Sequence, residues 1–275
     1  MEVWANAGGL SDIESAVEND AGGIGLFRSE FLYLGTTSYP SEEELFEAYR
    51  SAAVLMRGKK VILRTLDIGA DKNVGYFGLP EEENPALGHR AIRVCLARPE
   101  LFRTQLRAIL RASAFGNVSV MFPMIVSVTE FLRARGELER AMNELDEAGA
   151  PFNRDIETGV MIETPAAAIL SDQLAREADF FSIGTNDLSQ YTLAADRGNP
   201  AMQGYFDPPS EAVLRIIGMT VKNARDNGIR VGICGELGAD LSLTERFLEM
   251  GVNEFSVNPN SVLPLRRAIR SSTLA

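Results

Sequence analysis

GVMIETPAAAILSDQLAREADFFSIGTNDLSQYTLAADR, residues 159–197, holds two short apolar runs, GVMIET and DFFSIGT, that each stop at a cluster of polar residues. Runs of this length, rich in β-branched and aromatic residues, read as strands buried on both faces. A longer stretch separates them. Outward from this unit the same pattern recurs six more times. The other runs are EVWANA (2–7), GGIGLFR (22–28), KVILRTLD (60–67), VSVMFPM (118–124), RVGICGE (230–236) and NEFSVN (253–258). Segments of helical period lie between them, most clearly at 41–56, 128–149 and 210–228. Each of these three opens near Ser or Thr with an early Glu, a helix-start signal. Strands that alternate with helices pair in parallel. Eight such units in 275 residues predict an α/β fold, a closed (β/α)8 TIM-type barrel forming one domain over 1–275. An open doubly wound sheet is the alternative, and strand number and length favour the barrel.

Composition narrows the class of function. The formal net charge of −11 argues against a nucleic-acid partner, whose backbone attracts a basic face. It also means that an anionic substrate needs a local positive site. No apolar run is long enough for a transmembrane helix, so no membrane insertion is expected. The N-terminus has no basic stretch followed by an apolar one, hence no signal peptide. The two cysteines, Cys95 and Cys234, form no metal-ligand or paired pattern. Free thiols fit a reducing, cytoplasmic compartment. Cys95, inside the helical AIRVCLA, is expected in the core.

The polar residues gather where the strands end. Arg28 closes the second run, and Arg64 and Asp67 lie in the third. Glu163 closes the fifth, Thr185, Asn186 and Asp187 follow the sixth, and Cys234 and Glu236 close the seventh. In a barrel these positions converge on one mouth. Arginines that interrupt apolar strands need an anion, and a phosphate or carboxylate matches the guanidinium fork. Glu163 and Asp187 are the best metal pair, and hard oxygen ligands without a His or Cys cluster suit Mg2+. The segment 67–99 breaks the alternation with a long Gly- and acid-rich loop, which at the third strand end would border the mouth. Arg90, Arg93 and Arg98 follow it. Arg93 and Arg98 read as a solvated helix face.

At this point the residues resemble a known family. DFFSIGTNDLSQYTLAADR (179–197) is similar to the signature of the phosphoenolpyruvate-utilising enzymes. GIGLFRSEFLY (23–33), LRTLDIGADK (63–72), ENPALGHRAIR (83–93), MFPM (121–124), GVMIETPAA (159–167) and VGICGELGAD (231–240) resemble, in order, the blocks of the Enzyme I barrel of the sugar phosphotransferase system. The resemblance runs from about Ala5 to Ile269. It implies that Arg28, Arg64 and Arg197 bind the phosphate and carboxylate of phosphoenolpyruvate, with Arg90 lining the site and Asn186 holding the phosphate. It implies Glu163 and Asp187 as Mg2+ ligands and Cys234 as the acid that protonates the enolate carbon, giving pyruvate. It implies a homodimer, and phosphoryl transfer to a histidine on a separate N-terminal domain that is expected to be absent from this chain. That domain would serve the histidine-containing phosphocarrier protein. The one histidine here, His89, stands where the family usually has an aromatic residue and reads as a loop contact. Two further readings stay open: a stand-alone phosphoenolpyruvate or pyruvate sensor, and a metal-dependent lyase or aldolase acting on pyruvate enolates.

Overall fold

The structure, a computed structural model, describes residues 1–72 and 74–272. Its elements run β1 (Glu2–Ala7), α1 (Leu10–Glu18), β2 (Ile24–Arg28), α2 (Glu42–Leu55), β3 (Val61–Arg64), α3 (Ile92–Ala97), α4 (Pro99–Ser113), β4 (Val118–Phe122), α5 (Val128–Glu147), β5 (Thr158–Ile162), α6 (Pro165–Ile169), α7 (Ser171–Leu174), β6 (Phe180–Ile183), α8 (Thr185–Leu193), α9 (Glu211–Asp226), β7 (Arg230–Ile233), α10 (Thr244–Met250), β8 (Glu254–Val257) and α11 (Val262–Ser271). All eight expected strands are present. Each pairs in parallel with the next, and β1 pairs with β8 from Glu2↔Glu254 to Ala5↔Val257, so the sheet closes into a barrel. The open doubly wound alternative is thereby excluded.

The apolar runs are continuous because the strands are buried on both sides. Inside the barrel, Trp4, Leu26, Ile62, Met121, Met161, Phe180 and Cys234 form one cluster. The outward-facing strand residues pack with the helices into a second, larger core. The helix-start signals work in two of three cases. Ser41 and Glu44 form a capping box on α2, and Ser127 caps α5 through Glu130 N–H. Ser210 makes no side-chain cap on α9; Glu211 instead pairs with Arg215 and Arg246. Among the described residues, no helix is long and apolar enough to cross a membrane.

The loop between β3 and α3 contains, among its described residues, three short 3-10 turns. Arg93 and Arg98 correct their expected role as a solvated face, because both are half-buried and tie this loop down. Arg93 donates to the carbonyls of Leu87 and Gly88, and Arg98 to the Phe77 carbonyl and the Tyr39 phenol. Loop carbonyls turned inward need donors, and a guanidinium supplies several at once. Cys95 is buried in the core as expected.

Candidate active site

Strand register sets the site. β2 and β3 end level, with Arg28 directly beside Arg64. β5 and β6 end at the paired residues Ile162 and Ile183, which puts Glu163 next to Gly184 and the start of α8. Cys234, just past β7, donates its backbone N–H to the Ile183 carbonyl at 3.0 Å. A cavity of about 290 Å³ opens over these ends. Arg28, Arg64, Arg90, Asn186 and Arg197 all line it, and so do Glu163, Asp187 and Cys234. The fold thus gathers every expected site residue into one place, although they lie on five strand ends and two loops.

The charges are arranged as a chain. Glu30 Oε1 takes Arg64 Nη2 at 2.6 Å, and Arg64 Nη1 meets Asp67 Oδ2 at 3.0 Å. Asp67 Oδ1 takes Arg90 Nη2 at 2.9 Å. Arg90 Nη1 lies 3.8 Å from Asp187 Oδ1, and Arg197 Nη2 lies 3.5 Å from Asp187 Oδ2. Burial alone would raise the Asp67 carboxyl, but Arg64 and then Arg90 outweigh it and hold it at about 2. Burial likewise works against the charge of both arginines. Glu30 and Asp67 reverse this for Arg64, and Asp67 and Asp187 for Arg90, so both pKa values end raised.

Glu163 behaves differently. Burial and then the negative charges of Asp187 and Asp67 push its carboxyl up to about 8, against the pull of Arg64 and of the Met124 N–H that donates to Oε1 at 2.7 Å. Two buried carboxylates that repel one another in this way are a donor pair a cation could take. Among the described residues, no group of three or more His, Cys, Asp and Glu is placed to hold a metal ion, so a bound ion would complete its shell with ligand and water oxygens. Such a two-carboxylate set fits Mg2+. Gly184 keeps the space open, since a Cβ there would come within 3.0 Å of Glu163 Oε2.

Cys234 is 3 % exposed, and its Sγ faces the Ile183 carbonyl at 3.6 Å. Burial, only partly offset by the nearby Ser182 hydroxyl, pushes the thiol up to about 11. It is therefore a neutral thiol near pH 7. Asn186 is fixed by Glu236, accepting the Glu236 N–H at 2.8 Å and donating to Glu236 Oε1 at 3.1 Å. It sits in the first turn of α8, whose N-terminus carries no side-chain cap. His89 does not line the cavity; its backbone N–H donates to Glu82 at 2.9 Å.

Several wall residues escaped the sequence reading. Glu30 and Lys72 carry no strand-end signal. Glu30 lies in a 3-10 turn just after β2, and only its spacing from Arg28 hints at a role. Asp67 was visible as a strand-end acid, but not as the bridge between two arginines. Asn6 donates to the Cys234 carbonyl at 3.0 Å and accepts from Ser256 at 2.7 Å, pairings made only by barrel closure.

Residues 1–274 match the family model described as PEP-utilising enzyme, PEP-binding domain. The phosphoenolpyruvate-protein phosphotransferase of Listeria monocytogenes is 48% identical over 270 residues, covering 98% of this chain and 47% of that protein. The proteins of the same name from Staphylococcus carnosus and Bacillus subtilis are 48% and 47% identical, each over 98% of this chain and 47% of the relative. This chain thus spans about half the length of these relatives. Among solved structures, a citrate lyase from Burkholderia xenovorans superposes with TM-score 0.58 at 18% identity, over 97% of this chain and 76% of that one. An aldolase/citrate lyase family protein from Burkholderia cenocepacia gives 0.54 at 14%, over 98% and 93%. At these identities the two likenesses concern the barrel alone.

Proposed function

The chain belongs to the PEP-binding domain family of the PEP-utilising enzymes, and from that membership we propose that its cavity binds phosphoenolpyruvate with Mg2+ as the donor site of a phosphoenolpyruvate–protein phosphotransferase. One observation carries the reading: four arginines converge with two mutually repelling carboxylates in a single cavity. Five basic side chains, Arg28, Arg64, Lys72, Arg90 and Arg197, face five acidic ones, Glu30, Asp67, Glu163, Asp187 and Glu236. Glu163, pushed up to about 8, is mostly neutral near pH 7, so the cavity carries a small positive excess that draws a highly charged anion, and a dication beside Glu163 would favour its ionised form.

The roles follow from position. Arg28, Arg64 and Arg197 offer forked donors to phosphate and carboxylate, and Arg90 completes that wall. The uncapped N-terminus of α8 would offer backbone N–H groups to the phosphate, and Asn186, whose amide is held by Glu236, would add its second N–H. Glu163 and Asp187 would hold Mg2+, which supplies positive charge beside the transferring phosphoryl group. As the phosphorus–oxygen bond breaks, a phosphorus–nitrogen bond forms to a histidine of a separate domain. The enolate of pyruvate remains, and the Cys234 thiol delivers a proton to its C3 to give pyruvate, leaving a thiolate that regains its proton from solvent. A contiguous cavity of about 750 Å³, sharing Arg28, Phe31, Asn186 and Cys234 as walls, leaves room for the incoming acceptor. The phosphocarrier protein would then be served through that separate domain, and the barrel would pair with a second copy.

Calorimetry with phosphoenolpyruvate tests the reading, with tight binding expected only when Mg2+ is present. No heat of binding under either condition would sink it. Adding the phosphohistidine domain in trans separates a transferase from a sensor, because only the transferase forms pyruvate. Sedimentation at high micromolar concentration tests the pairing, and a monomer throughout would overturn it.

A further inference from the structure

The ends of β2 and β3 carry Arg28, Glu30, Arg64 and Asp67, yet the sheet ladder does not hold the last of these. The ladder's final contact on this side is Thr65 N–H to the Met121 carbonyl at 2.9 Å. Leu66 has left the sheet, and its buried N–H needs another acceptor. It finds one in the helical layer, where Gln105 of α4 accepts it on Oε1 at 2.9 Å. The Gln105 amide in turn donates to the Tyr49 phenol of α2 at 3.0 Å. Tyr49 meets the Ser29 hydroxyl, and Ser29 donates to the Arg64 carbonyl. The Tyr49 ring also stands edge-on to Phe27, the residue before Arg28, with centroids 5.9 Å apart.

Two hydrogen-bonded pieces therefore flank the turn out of β3, Ser29 on the Arg64 carbonyl and Gln105 with Tyr49 on the Leu66 N–H, and the Tyr49 phenol lies close to Ser29 between them. Gln105 is 1 % exposed, and Tyr49 and Ser29 are fully buried. None of the three lines the cavity. We infer that Tyr49 and Gln105 are positioning residues that fix the exit angle of β3, and so set the spacing of Arg64 and Asp67 against Arg28 across the mouth. A merely structural polar pair could sit anywhere in the helical layer. This one grips the backbone on both sides of the segment that delivers two members of the charged chain. Buried hydrogen bonds packed on both sides of one turn favour a single geometry, the property a positioning device needs.

The inference rests on the proposed anion site, so its test separates the two. Wild-type binding of phosphoenolpyruvate reports on the site itself. Given that binding, Gln105→Leu is expected to weaken phosphoenolpyruvate by about 10-fold, and Tyr49→Phe, which removes one hydroxyl and keeps the ring, by a few-fold. Affinity for Mn2+ alone, read by electron paramagnetic resonance as a probe of the Glu163–Asp187 side, should stay within experimental error of wild type. In an Arg64→Ala background Gln105→Leu should cost clearly less phosphoenolpyruvate affinity than in wild type, because one of the two groups it positions is gone. Equal loss of both ligands, full additivity with Arg64→Ala, or unchanged phosphoenolpyruvate affinity in folded Tyr49→Phe would each overturn the assignment. Should Gln105→Leu fail to fold, Tyr49→Phe carries the same three readouts.

Discussion

Asp67 and Arg90, separated by the whole loop between β3 and α3, meet as a buried ion pair at 2.9 Å, with 5 % and 6 % of their surfaces exposed. The second Asp67 oxygen holds Arg64, so one carboxylate joins a strand end to the far end of the loop. The neighbouring Ala91 N–H donates to the Ile68 carbonyl at 3.0 Å and closes the loop base a second time. Ala91 has φ near +51°, a costly conformation for a non-glycine residue, so the surrounding contacts must hold it there.

Asp67→Ala is expected to leave two buried guanidinium groups short of a counter-charge, at a cost of about 3–5 kcal/mol near pH 7. The pH dependence follows from the sign of the shift. The folded carboxyl titrates at about 2, below its ordinary 3.8, so its contribution is full above pH 4 and is lost as the pH falls toward 2. Urea denaturation of both proteins from pH 7 to pH 2 measures this. A stability gap that stayed constant into acid would mean that Asp67 acts through packing and not through charge.

Glu254 at the opposite end of the barrel carries the reverse linkage. It is buried at the start of β8, with Arg230 Nη2 at 3.4 Å as its nearest cation. Burial, against the pull of Arg230 and Lys60 and aided by the charge of Glu2, pushes its carboxyl up to about 8. A folded pKa raised above the unfolded value of 4.5 gives no penalty below that value and a growing one between pH 4.5 and 8. Glu254→Gln should therefore match wild type near pH 4.5 and exceed it by up to about 4 kcal/mol at pH 8, a melting shift of about ten degrees. A variant less stable than wild type at pH 8 would show that the ionised carboxylate is needed by Arg230.

The barrel was legible because its signals are local. Each strand is an apolar run between turn residues, and Ser41 with Glu44 marks a helix start within four residues. The strand-end residues were legible by the same logic, since the fold alone sends Arg28, Glu163 and Cys234 to one mouth. What stayed hidden depends on closure. Whether Asp67 faces solvent or two arginines, whether Arg98 is solvated or meets the Phe77 carbonyl, and whether Asn6 supports Cys234 are decided by contacts between segments distant in the chain. Ser210 shows the limit of even a local signal. The cap it offers goes unused while Glu211 pairs across to α10.

Asp187 meets two arginines, Arg90 at 3.8 Å and Arg197 at 3.5 Å. If it is also a Mg2+ ligand, Asp187→Ala should abolish the metal dependence of phosphoenolpyruvate binding together with most of the affinity. Calorimetry at saturating and at zero Mg2+ reads both effects. Binding by the variant that still required Mg2+ at wild-type strength would remove Asp187 from the metal site.

Cys234 gives the sharpest single-residue test. If its thiol protonates C3, the reverse step lets the thiolate remove a methyl proton from pyruvate. In deuterated buffer with Mg2+ the wild-type barrel should then exchange those protons. Cys234→Ala should leave phosphoenolpyruvate binding nearly intact and slow exchange by about 10²–10⁴-fold, the usual contribution of a positioned acid or base. Cys234→Ser should also fail, since a hydroxyl is too weak an acid to replace the thiol. The buried thiol adds a pH signature. With its pKa pushed up to about 11, the thiolate fraction grows about tenfold per pH unit from 7 to 10. The exchange rate should climb with that slope, provided Mg2+ saturates the site. A rate that levelled off near pH 8.5 would mean an ordinary exposed thiol or a different base. Equal exchange by wild type and both variants would reduce Cys234 to one more packing residue in the barrel interior.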